Sequence, residues 1–414
     1  MAVETITLGC RLNFAESETL ARTAPPGDWI IVNSCAVTSE AVRQTRQAIR
    51  RAHRRRPEAQ ILVTGCAVEL EPERFAAMPE VGRVIGNRTK MSAFNHARHP
   101  GLDPGSTFSF FSGKEDGSRL EGQDDEGSSV VPAGNQGHVR SFVAVQTGCD
   151  HSCTFCSIAP ARGPSRSFAY ADVCAAIERE LERGAKEIVL TGVDITSYAG
   201  GLGTLVERLL DDLPHMLRLR LSSLDSIEID DTLFALIAGE PRLLPHFHLS
   251  LQSGDDLILK RMKRRHSRAE AVRTVARIKA ARPDATIGAD LIAGFPTESE
   301  DAALGTLRLL DDCDVIAGHI FPFSPRPGTP AARMPQLERE IVKGRAVRLR
   351  SRAAERRTAW LAGQVGSVQR VLVENGGKAH TEGFAPVRFD GCNGDILDLR
   401  ITAVTEDHLV GVAA

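Results

Sequence analysis

The central part of the chain, from Val139 to Phe321, alternates between short apolar segments and longer amphipathic ones, and this strand-then-helix unit occurs six times. Strands that are separated by helices pair in parallel, so the alternation predicts either a partial barrel or an open doubly wound sheet. Neither Gly-x-Gly-x-x-Gly nor Gly-x4-Gly-Lys-Ser/Thr follows an early strand, which disfavours dinucleotide-binding and P-loop folds. The predicted strands are Val139–Gln146, Glu187–Thr191, Arg218–Ser222, His246–Leu251, Thr286–Ile292 and Val315–Phe321. The predicted helices between them include Tyr170–Arg183, Leu202–Leu213, Thr232–Gly239, Arg268–Ala281 and Ser299–Asp312.

The N-terminal part repeats this plan three times, with a cysteine after each strand. The carboxyl ends of parallel strands share one edge of a sheet, which is where ligands usually bind. We therefore expect the three thiols to meet, although they are far apart in the sequence. The strand segments are Glu4–Leu8, Asp28–Val32 and Gln60–Val63, and the cysteines that follow them are Cys10, Cys35 and Cys66.

Changes in composition divide the rest of the chain. Residues 99–137 are rich in Gly, Ser, Asp and Pro, which indicates a flexible linker or an insertion between an N-terminal domain at 1–98 and a core at 138–335. Residues 336–362 predict a long basic helix that is interrupted at Gly344. Residues 363–414 predict short strands joined by glycine turns, and a β-barrel of this size is typical of oligonucleotide-binding modules. The four predicted strands are Ser367–Glu374, Lys378–Phe384, Asp395–Val404 and His408–Val412.

The segment Cys149-Asp-His-Ser-Cys153-Thr-Phe-Cys156 has the strongest chemical signal in the sequence. Three thiolates on one loop can hold one side of a metal centre, and this is favoured over disulfides in a chain with no secretory leader. A structural zinc normally takes four protein ligands. Three cysteines on a [4Fe–4S] cluster instead leave one iron open for a substrate or cofactor. A zinc with a distant fourth ligand is the alternative.

This spacing, after the first strand of a βα barrel, resembles the radical S-adenosylmethionine superfamily. The resemblance implies a [4Fe–4S] cluster on Cys149, Cys153 and Cys156, whose open iron binds S-adenosylmethionine and cleaves it to a 5′-deoxyadenosyl radical. The segments 191–194 and 288–298 resemble two further motifs of the superfamily, although a polar cap after a strand also explains Asp194 or Glu298 alone. The cofactor contacts that the resemblance implies are Phe155, Thr191, Gly192, Asp194, Ser223, Gln252, Ile292, Gly294 and Glu298.

The whole chain apart from the predicted linker resembles the methylthiotransferase family within that superfamily. The segments Gly9–Asn13, Asn33–Thr38 and Thr64–Cys66 match its N-terminal motifs, and the C-terminal module resembles the TRAM domain, an RNA-binding barrel. The resemblance implies an N-terminal parallel α/β domain, a central partial (β/α)6 radical SAM barrel and a small C-terminal all-β TRAM barrel. It also implies a second [4Fe–4S] cluster, whose open iron carries the sulfur to be inserted and whose ligands are Cys10, Cys35 and Cys66.

Within the family, the segments Arg218–Asp225, His246–Gly254 and Leu259–His266 are most similar to the MtaB branch. That branch methylthiolates C2 of N6-threonylcarbamoyladenosine at position 37 of tRNA. The expected cofactors are two [4Fe–4S] clusters and S-adenosyl-L-methionine, and the expected partner is tRNA, whereas the sequence does not identify the sulfur donor, the electron donor or further catalytic side chains. Isopentenyl-adenosine in tRNA and an aspartate of a ribosomal protein are alternative substrates. A non-catalytic RNA-binding protein with a structural metal is the alternative from another class.

A formal net charge of −2 excludes a uniformly basic RNA-binding protein, so contact with RNA requires local patches. The run Arg43–Arg56 holds seven arginines and no acidic residue, and four of the arginines share one helix face. The runs Lys260–Arg268 and Arg345–Arg357 are also basic. A solvated helix face is the alternative for any single run. The predicted RNA contacts are Arg43, Arg46, Arg50, Arg54, Lys260, Lys263 and Arg264.

No apolar run approaches the ~18 residues that a membrane helix needs, and the chain does not start with a basic and then apolar leader. We therefore expect a cytoplasmic monomer that has no membrane partner. In the C-terminal module the only aromatic residues are Phe384 and Phe389, which favours contact with the RNA backbone over base stacking.

Overall fold

The computed structural model describes residues 3–92, 94, 130–135 and 137–414. In the N-terminal unit the elements are β1 (Val3–Thr7), α1 (Arg11–Thr23), β2 (Trp29–Ser34), α2 (Ser39–Arg55), β3 (Gln60–Gly65), α3 (Cys66–Leu70), α4 (Pro72–Ala76) and β4 (Arg83–Val84). The strands form a parallel sheet in the order β1-β2-β3-β4. Its inner strands are buried apolar runs, as expected where helices cover both faces of a sheet.

Helix α2 shows how the local sequence determines an element of this unit. The hydroxyl of Thr38 caps the helix by accepting the N–H of Ala41 at 3.1 Å. Val42 and Ile49 lie on one side of the helix and are buried against Ile30 of the sheet. The arginine-rich side therefore faces outward, as the helical spacing predicts.

The central unit is a partial barrel built on six parallel strands. Two sheets, β10-β9-β6-β5 and β11-β12-β13, are joined by parallel bridges between Leu219 and Leu243 and between Leu224 and Leu249. Of the two predicted arrangements, the partial barrel is confirmed. Its strands are β5 (Ala133–Gly134), β6 (Arg140–Ala144), β7 (Gln146–Thr147), β8 (Arg166–Ser167), β9 (Glu187–Thr191), β10 (Leu219–Leu221), β11 (His246–Gln252), β12 (Thr286–Ala293) and β13 (Val315–Pro322).

The helices of this unit pack their apolar sides on the outside of the barrel, in one large cluster of buried aliphatic residues. Helix α10 has a capping box, in which Ser267 and Glu270 satisfy each other's backbone N–H groups. The helices are α5 (Ile158–Arg162), α6 (Tyr170–Glu182), α7 (Leu202–Asp212), α8 (Asp231–Gly239), α9 (Asp256–Met262), α10 (Arg268–Ala281) and α11 (Glu300–Asp312).

Two sequence predictions need correction. The predicted linker at 99–137 falls outside the described residues up to position 129, but its last part contributes strand β5, which pairs with β6. The predicted interruption at Gly344 is absent, because helix α12 (Arg339–Ala362) passes through it without a break. No atom outside the helix lies within 4 Å of the position that a side chain of Gly344 would occupy, so this glycine serves no close packing.

The C-terminal unit is a closed five-stranded barrel in the order β14-β15-β16-β18-β17. Its strands are β14 (Val368–Glu374), β15 (Lys378–Thr381), β16 (Pro386–Arg388), β17 (Ile396–Val404) and β18 (Leu409–Ala413), and its interior is filled by aliphatic residues. The sequence predicted four of these strands and missed β16.

The loop after β15 closes one end of the central barrel. Two nitrogens of Arg220 donate to the carbonyls of Glu382 and Thr381 at 2.7 and 3.0 Å, and Thr286 donates to the carbonyl of Gly383 at 2.9 Å. Because Thr286 begins β12, this contact is at the amino ends of the strands. The opposite end, at the carboxyl ends, stays free for a ligand site.

Within the described part of the chain, no helix combines the length and the apolar character needed to cross a lipid bilayer.

Candidate functional site

The three N-terminal cysteines lie side by side at one edge of the sheet. Cys10 and Cys35 follow β1 and β2, and Cys66 is the first residue of α3. The registers of the adjacent strands place these ends level with one another, since Ser34 pairs with Gly65. Side chains that are 56 residues apart in the sequence are thereby brought together, as the strand pattern predicts.

Glycines allow this close approach. Gly9 and Gly65 have φ values of +111° and +98°, which disfavour any residue with a side chain. A Cβ atom on Gly9 would lie 3.0 Å from the Sγ of Cys35, and one on Gly65 would lie 2.4 Å from the carbonyl oxygen of Ser34. The glycine before Cys10 and the glycine before Cys66 are thus required by the site, a signal that the sequence analysis did not use.

The surroundings of this first group of thiols suit a metal cluster. Burial raises the pKa of Cys35 to about 11, and the nearby Cys66 and Cys10 add to the increase. The N–H of Val37 lies 3.5 Å from the Sγ of Cys35, as a donor to a ligand sulfur would. All three cysteines are free of disulfides. Clustered thiolates repel one another, and a bound metal centre offsets that repulsion.

The second group of thiols lies on the loop after β7. Burial raises the pKa of Cys156 to about 11, and Cys153 and Cys149 contribute to it. Backbone N–H groups of His151 and Ile158 lie 3.4 and 3.3 Å from the sulfurs of Cys149 and Cys156. This arrangement repeats the chemistry of the first group, so both groups fit a cluster held by three cysteines.

The two cysteine loops contact each other. The hydroxyl of Ser157, next to Cys156, lies 3.4 Å from the carbonyl oxygen of Ala36, next to Cys35. The amide of Asn87 donates to the carbonyl of Ala161 at 2.6 Å. The N-terminal unit therefore sits over the carboxyl ends of the barrel strands, with its own strand ends facing them.

A cavity of about 690 Å³ opens between the two units. The first group of cysteines lines it, whereas Cys149, Cys153 and Cys156 lie outside the lining. Six of the nine predicted cofactor contacts do line it, and they come from five different segments of the barrel. These six are Phe155, Thr191, Gly192, Ser223, Gln252 and Ile292.

Gln146 positions the loop of residues 191–194 at the cavity. Its Oε1 accepts the N–H groups of Val193 and Asp194 at 3.1 and 2.9 Å, and its Nε2 donates to the carbonyl of Gly148 at 2.8 Å. Gln146 thus connects the loop that contains Asp194 with the start of the Cys149 loop. The sequence analysis missed this residue, although its place at the end of a barrel strand was visible.

Asp194 lies beside the second group of thiols and not on the cavity wall. Its Oδ2 is 3.4 Å from the Nε2 of His151, and its Oδ1 accepts the hydroxyl of Thr196 at 2.8 Å. Burial raises the pKa of Asp194. Asp194 is therefore next to the site, its Oδ2 accepts no hydrogen bond from a described residue, and its cofactor contact stays a prediction.

Gly294 and Glu298 also lie outside the cavity lining, and their cofactor contacts stay predictions. Glu298 is buried, accepts the N–H of Gly294 at 3.0 Å and lies 2.8 Å from the Nη1 of Arg345. A Cβ on Gly294 would lie 2.8 Å from a methyl of Val342. Both residues therefore join the end of β12 to helix α12. The resemblance could not show this, because Arg345 is remote in the sequence.

The predicted RNA contacts separate into exposed and buried groups. Arg264 is wrong as an RNA contact: its side chain is 7% exposed, lies 2.8 Å from Asp225 and points its Nη1 towards the Sγ of Cys153 at 3.8 Å. Arg46 is half-buried. The residues that remain exposed are Arg43, Arg50, Arg54, Lys260 and Lys263.

Two family models match the chain, and they match its two cysteine-bearing parts. The radical SAM superfamily matches residues 143–310, and a family described as uncharacterized protein family UPF0004 matches residues 2–86. The solved structure of the radical S-adenosylmethionine methyltransferase TsrM from Kitasatospora setae has a TM-score of 0.52 and 15% identity, covering 78% of this chain and 70% of that chain. The likeness to the TsrM structure supports the fold alone.

Curated relatives cover nearly the whole chain. Threonylcarbamoyladenosine tRNA methylthiotransferase MtaB of Rickettsia prowazekii is 40% identical over 98% of this chain and 96% of its own length. The protein of that name from Aquifex aeolicus is 32% identical over 94% and 97%. The tRNA-2-methylthio-N(6)-dimethylallyladenosine synthase of Erythrobacter litoralis is 30% identical over 98% and 95%. The chain belongs to the radical S-adenosylmethionine methylthiotransferase family.

Proposed function

We propose that this protein transfers a methylthio group to C2 of N6-threonylcarbamoyladenosine at position 37 of tRNA. The observation that supports it most is the cavity of about 690 Å³, which is lined both by Cys10, Cys35 and Cys66 and by residues of the barrel motifs. The relatives from Rickettsia prowazekii and Aquifex aeolicus reported above are named for that substrate.

The reaction needs a chemistry that side chains lack, because no side-chain base can remove the proton from an aromatic C2–H. The family's cofactors are two [4Fe–4S] clusters and S-adenosylmethionine, which when bound supply the radical and the sulfur. We assign Cys149, Cys153 and Cys156 to one cluster. We assign Cys10, Cys35 and Cys66 to the other.

The remaining residues of the site bind and orient. Gln146 holds the loop of Thr191 and Gly192 in place against the cavity through the hydrogen bonds described above. Phe155 and Ile292 contribute apolar surface to the cavity wall, which keeps water away from a reactive intermediate. A substrate and a cofactor that are bound in one cavity react without a diffusive step.

Two cysteine variants test this assignment. We expect Cys149→Ala to abolish cleavage of S-adenosylmethionine. We expect Cys35→Ala to retain the cleavage but to stop thiolation. The control is Cys392→Ala, which changes an exposed cysteine outside both groups. The measurements are the yield of 5′-deoxyadenosine and nucleoside mass analysis of tRNA, on protein purified without oxygen.

Normal thiolation by Cys35→Ala would contradict the role of the first group. In the same mass analysis, a methylthio group on dimethylallyladenosine and none on threonylcarbamoyladenosine would assign the chain to the other substrate of its relatives. We further propose that the enzyme acts on tRNA in the cytoplasm, as a monomer.

A further inference from the structure

Two arginines line the cavity, and their surroundings differ. Arg162 lies 2.7 Å from Glu16 and donates to Asn13 at 2.6 Å, so its charge is neutralised. Arg11 makes no side-chain hydrogen bond and no ion pair to any described residue. The ring of Phe142 lies near it, with the centroid 5.9 Å from the guanidinium carbon. Among the described residues, Arg11 therefore has no ion-pair partner.

The position of Arg11 is unfavourable for an unpaired charge. Arg11 is partly buried in the cavity wall, and no carboxylate of a described residue contacts its guanidinium. Buried arginines are normally paired, because desolvation of a charge is costly. The planar guanidinium matches a carboxylate with two parallel hydrogen bonds. A carboxylate of a ligand would supply the ion-pair partner that the described residues do not provide.

The carboxylate of Asp290 is already engaged by two histidines that line the same cavity. Its Oδ1 lies 3.0 Å from the Nε2 of His248 and 3.3 Å from the Nδ1 of His319. Burial raises the pKa of Asp290, but hydrogen bonds from the two imidazoles outweigh burial, and the net pKa is lowered. Asp290 therefore contacts the two imidazoles and not the guanidinium of Arg11. Among the described residues that line the cavity, Arg11 is the arginine without an ion-pair partner.

We infer that Arg11 binds the carboxylate of the threonyl group and so selects threonylcarbamoyladenosine over adenosines with a neutral N6 substituent. This inference rests on the proposed function. The N6 substituents named for the relatives differ in this property, since threonylcarbamoyl ends in a carboxylate and dimethylallyl is a hydrocarbon. Arg11 follows Cys10 directly, so the binding subsite adjoins the first group of cysteines.

The test compares two anticodon stem-loop RNAs that differ only in charge. One contains N6-threonylcarbamoyladenosine, and the other contains its methyl ester. Their affinities for cluster-loaded protein are measured by competition without oxygen, for wild type, Arg11→Leu and Arg11→Lys. We expect wild type to prefer the acid by about tenfold to a hundredfold, the range for one charged hydrogen-bonded pair. We expect Arg11→Leu to bind both RNAs within about twofold, and Arg11→Lys to retain part of the preference.

The ratio of the two affinities is internal to each protein, so a loss of active protein cancels from it. Iron and sulfide contents check that each variant holds its clusters, and a variant that loses them is replaced by Arg11→Gln. An unchanged acid-to-ester ratio in the Arg11 variants would overturn the inference. So would a loss of the preference in His319→Gln while Arg11→Leu retains it.

Failure of the proposed function has a different signature. In that case wild type would not thiolate the threonylcarbamoyl RNA at all, whatever its affinity. If wild type does thiolate it but binds the acid and the ester equally, only the role of Arg11 is refuted.

Discussion

At the scale of single residues, Glu16 connects the N-terminal unit to the barrel. Its two oxygens lie 2.7 Å from Arg162 and 2.5 Å from Lys90, and all three side chains are buried. Arg162 also bonds Asn13, which donates to the carbonyl of Ser34 at 2.9 Å. The cluster therefore fixes α5 of the barrel against the end of β2, where a cysteine of the site is presented.

The variant Glu16→Gln tests this role by its pH dependence. Burial raises the pKa of Glu16, but Arg162 and Lys90 outweigh burial and bring the pKa to about 2, from 4.5 in the unfolded chain. Between those values the unfolded chain binds a proton that the folded protein does not, so the stabilisation is complete above about pH 5 and is lost as the pH falls.

We expect Glu16→Gln to lower the free energy of unfolding at pH 7 by about 3 kcal/mol, because it leaves two buried cations poorly paired. Its stability should also fall less steeply than that of wild type below pH 4.5. Urea unfolding across a pH series measures both effects, with the exposed Glu58→Gln as the control. If the free energy of unfolding falls equally steeply below pH 4.5 in wild type and in Glu16→Gln, the stabilising role of the Glu16 carboxylate is refuted.

At the scale of elements, two basic helices that look alike in sequence have different roles. Several arginines of α12 pair with carboxylates of the barrel: Arg345 pairs with Glu298, and Arg352 and Arg356 pair with Asp311. These pairs hold the helix against the barrel, and RNA contact by the run 345–357 stays a prediction. The arginines of α2 face outward, and Arg50 lies there 3.8 Å from Glu80.

The outward face of α2 gives a prediction about RNA binding. We expect Arg50→Glu with Arg54→Glu to weaken tRNA binding and to reduce the slope of log affinity against log salt by about 2, since each phosphate contact contributes about 0.9. The control is Arg179→Glu, an exposed arginine on α6. If the slope of log affinity against log salt is the same for the α2 variant and wild type, α2 is a solvated helix face that does not contact the RNA.

At the scale of the whole molecule, the C-terminal barrel closes the base of the central barrel. Phe384 stacks between His246 of the central barrel and His380 of its own unit, with ring centroids 5.2 and 5.0 Å apart. The guanidinium carbons of Arg140 and Arg220 lie 5.1 and 5.0 Å from the same ring. Phe384 therefore serves the contact between the units and is not free to stack on an RNA base.

Removing that ring tests the coupling of the two units. We expect Phe384→Ala to destabilise the protein by about 2 kcal/mol, less than a fully buried ring, and to separate the unfolding of the C-terminal barrel from that of the rest. Differential scanning calorimetry shows whether one transition becomes two, and exposed Arg388→Ala on β16 is the control. A single shared transition for Phe384→Ala would contradict the proposed coupling.

Much of the fold followed from local pattern. The strand Glu187–Thr191 and the helix Arg268–Ala281 have the predicted bounds. The signals that determine them are local, because the apolar pattern of the strand and the cap of the helix at Ser267 each involve only a few neighbouring residues. The short strand β16 and the short helix α5 were missed, since too few residues show a period there.

The sequence by itself determined which residues can be cluster ligands, because thiol chemistry belongs to the residue and strand ends bring Cys10, Cys35 and Cys66 to one edge. Only the tertiary structure decided which charges are satisfied. Arg264 was buried against Asp225, whereas Arg11 was left unpaired at the cavity. The physical reason is that the free energy of a charged side chain depends on its neighbours in space. These neighbours are often distant in sequence, so the residue type does not reveal which they are.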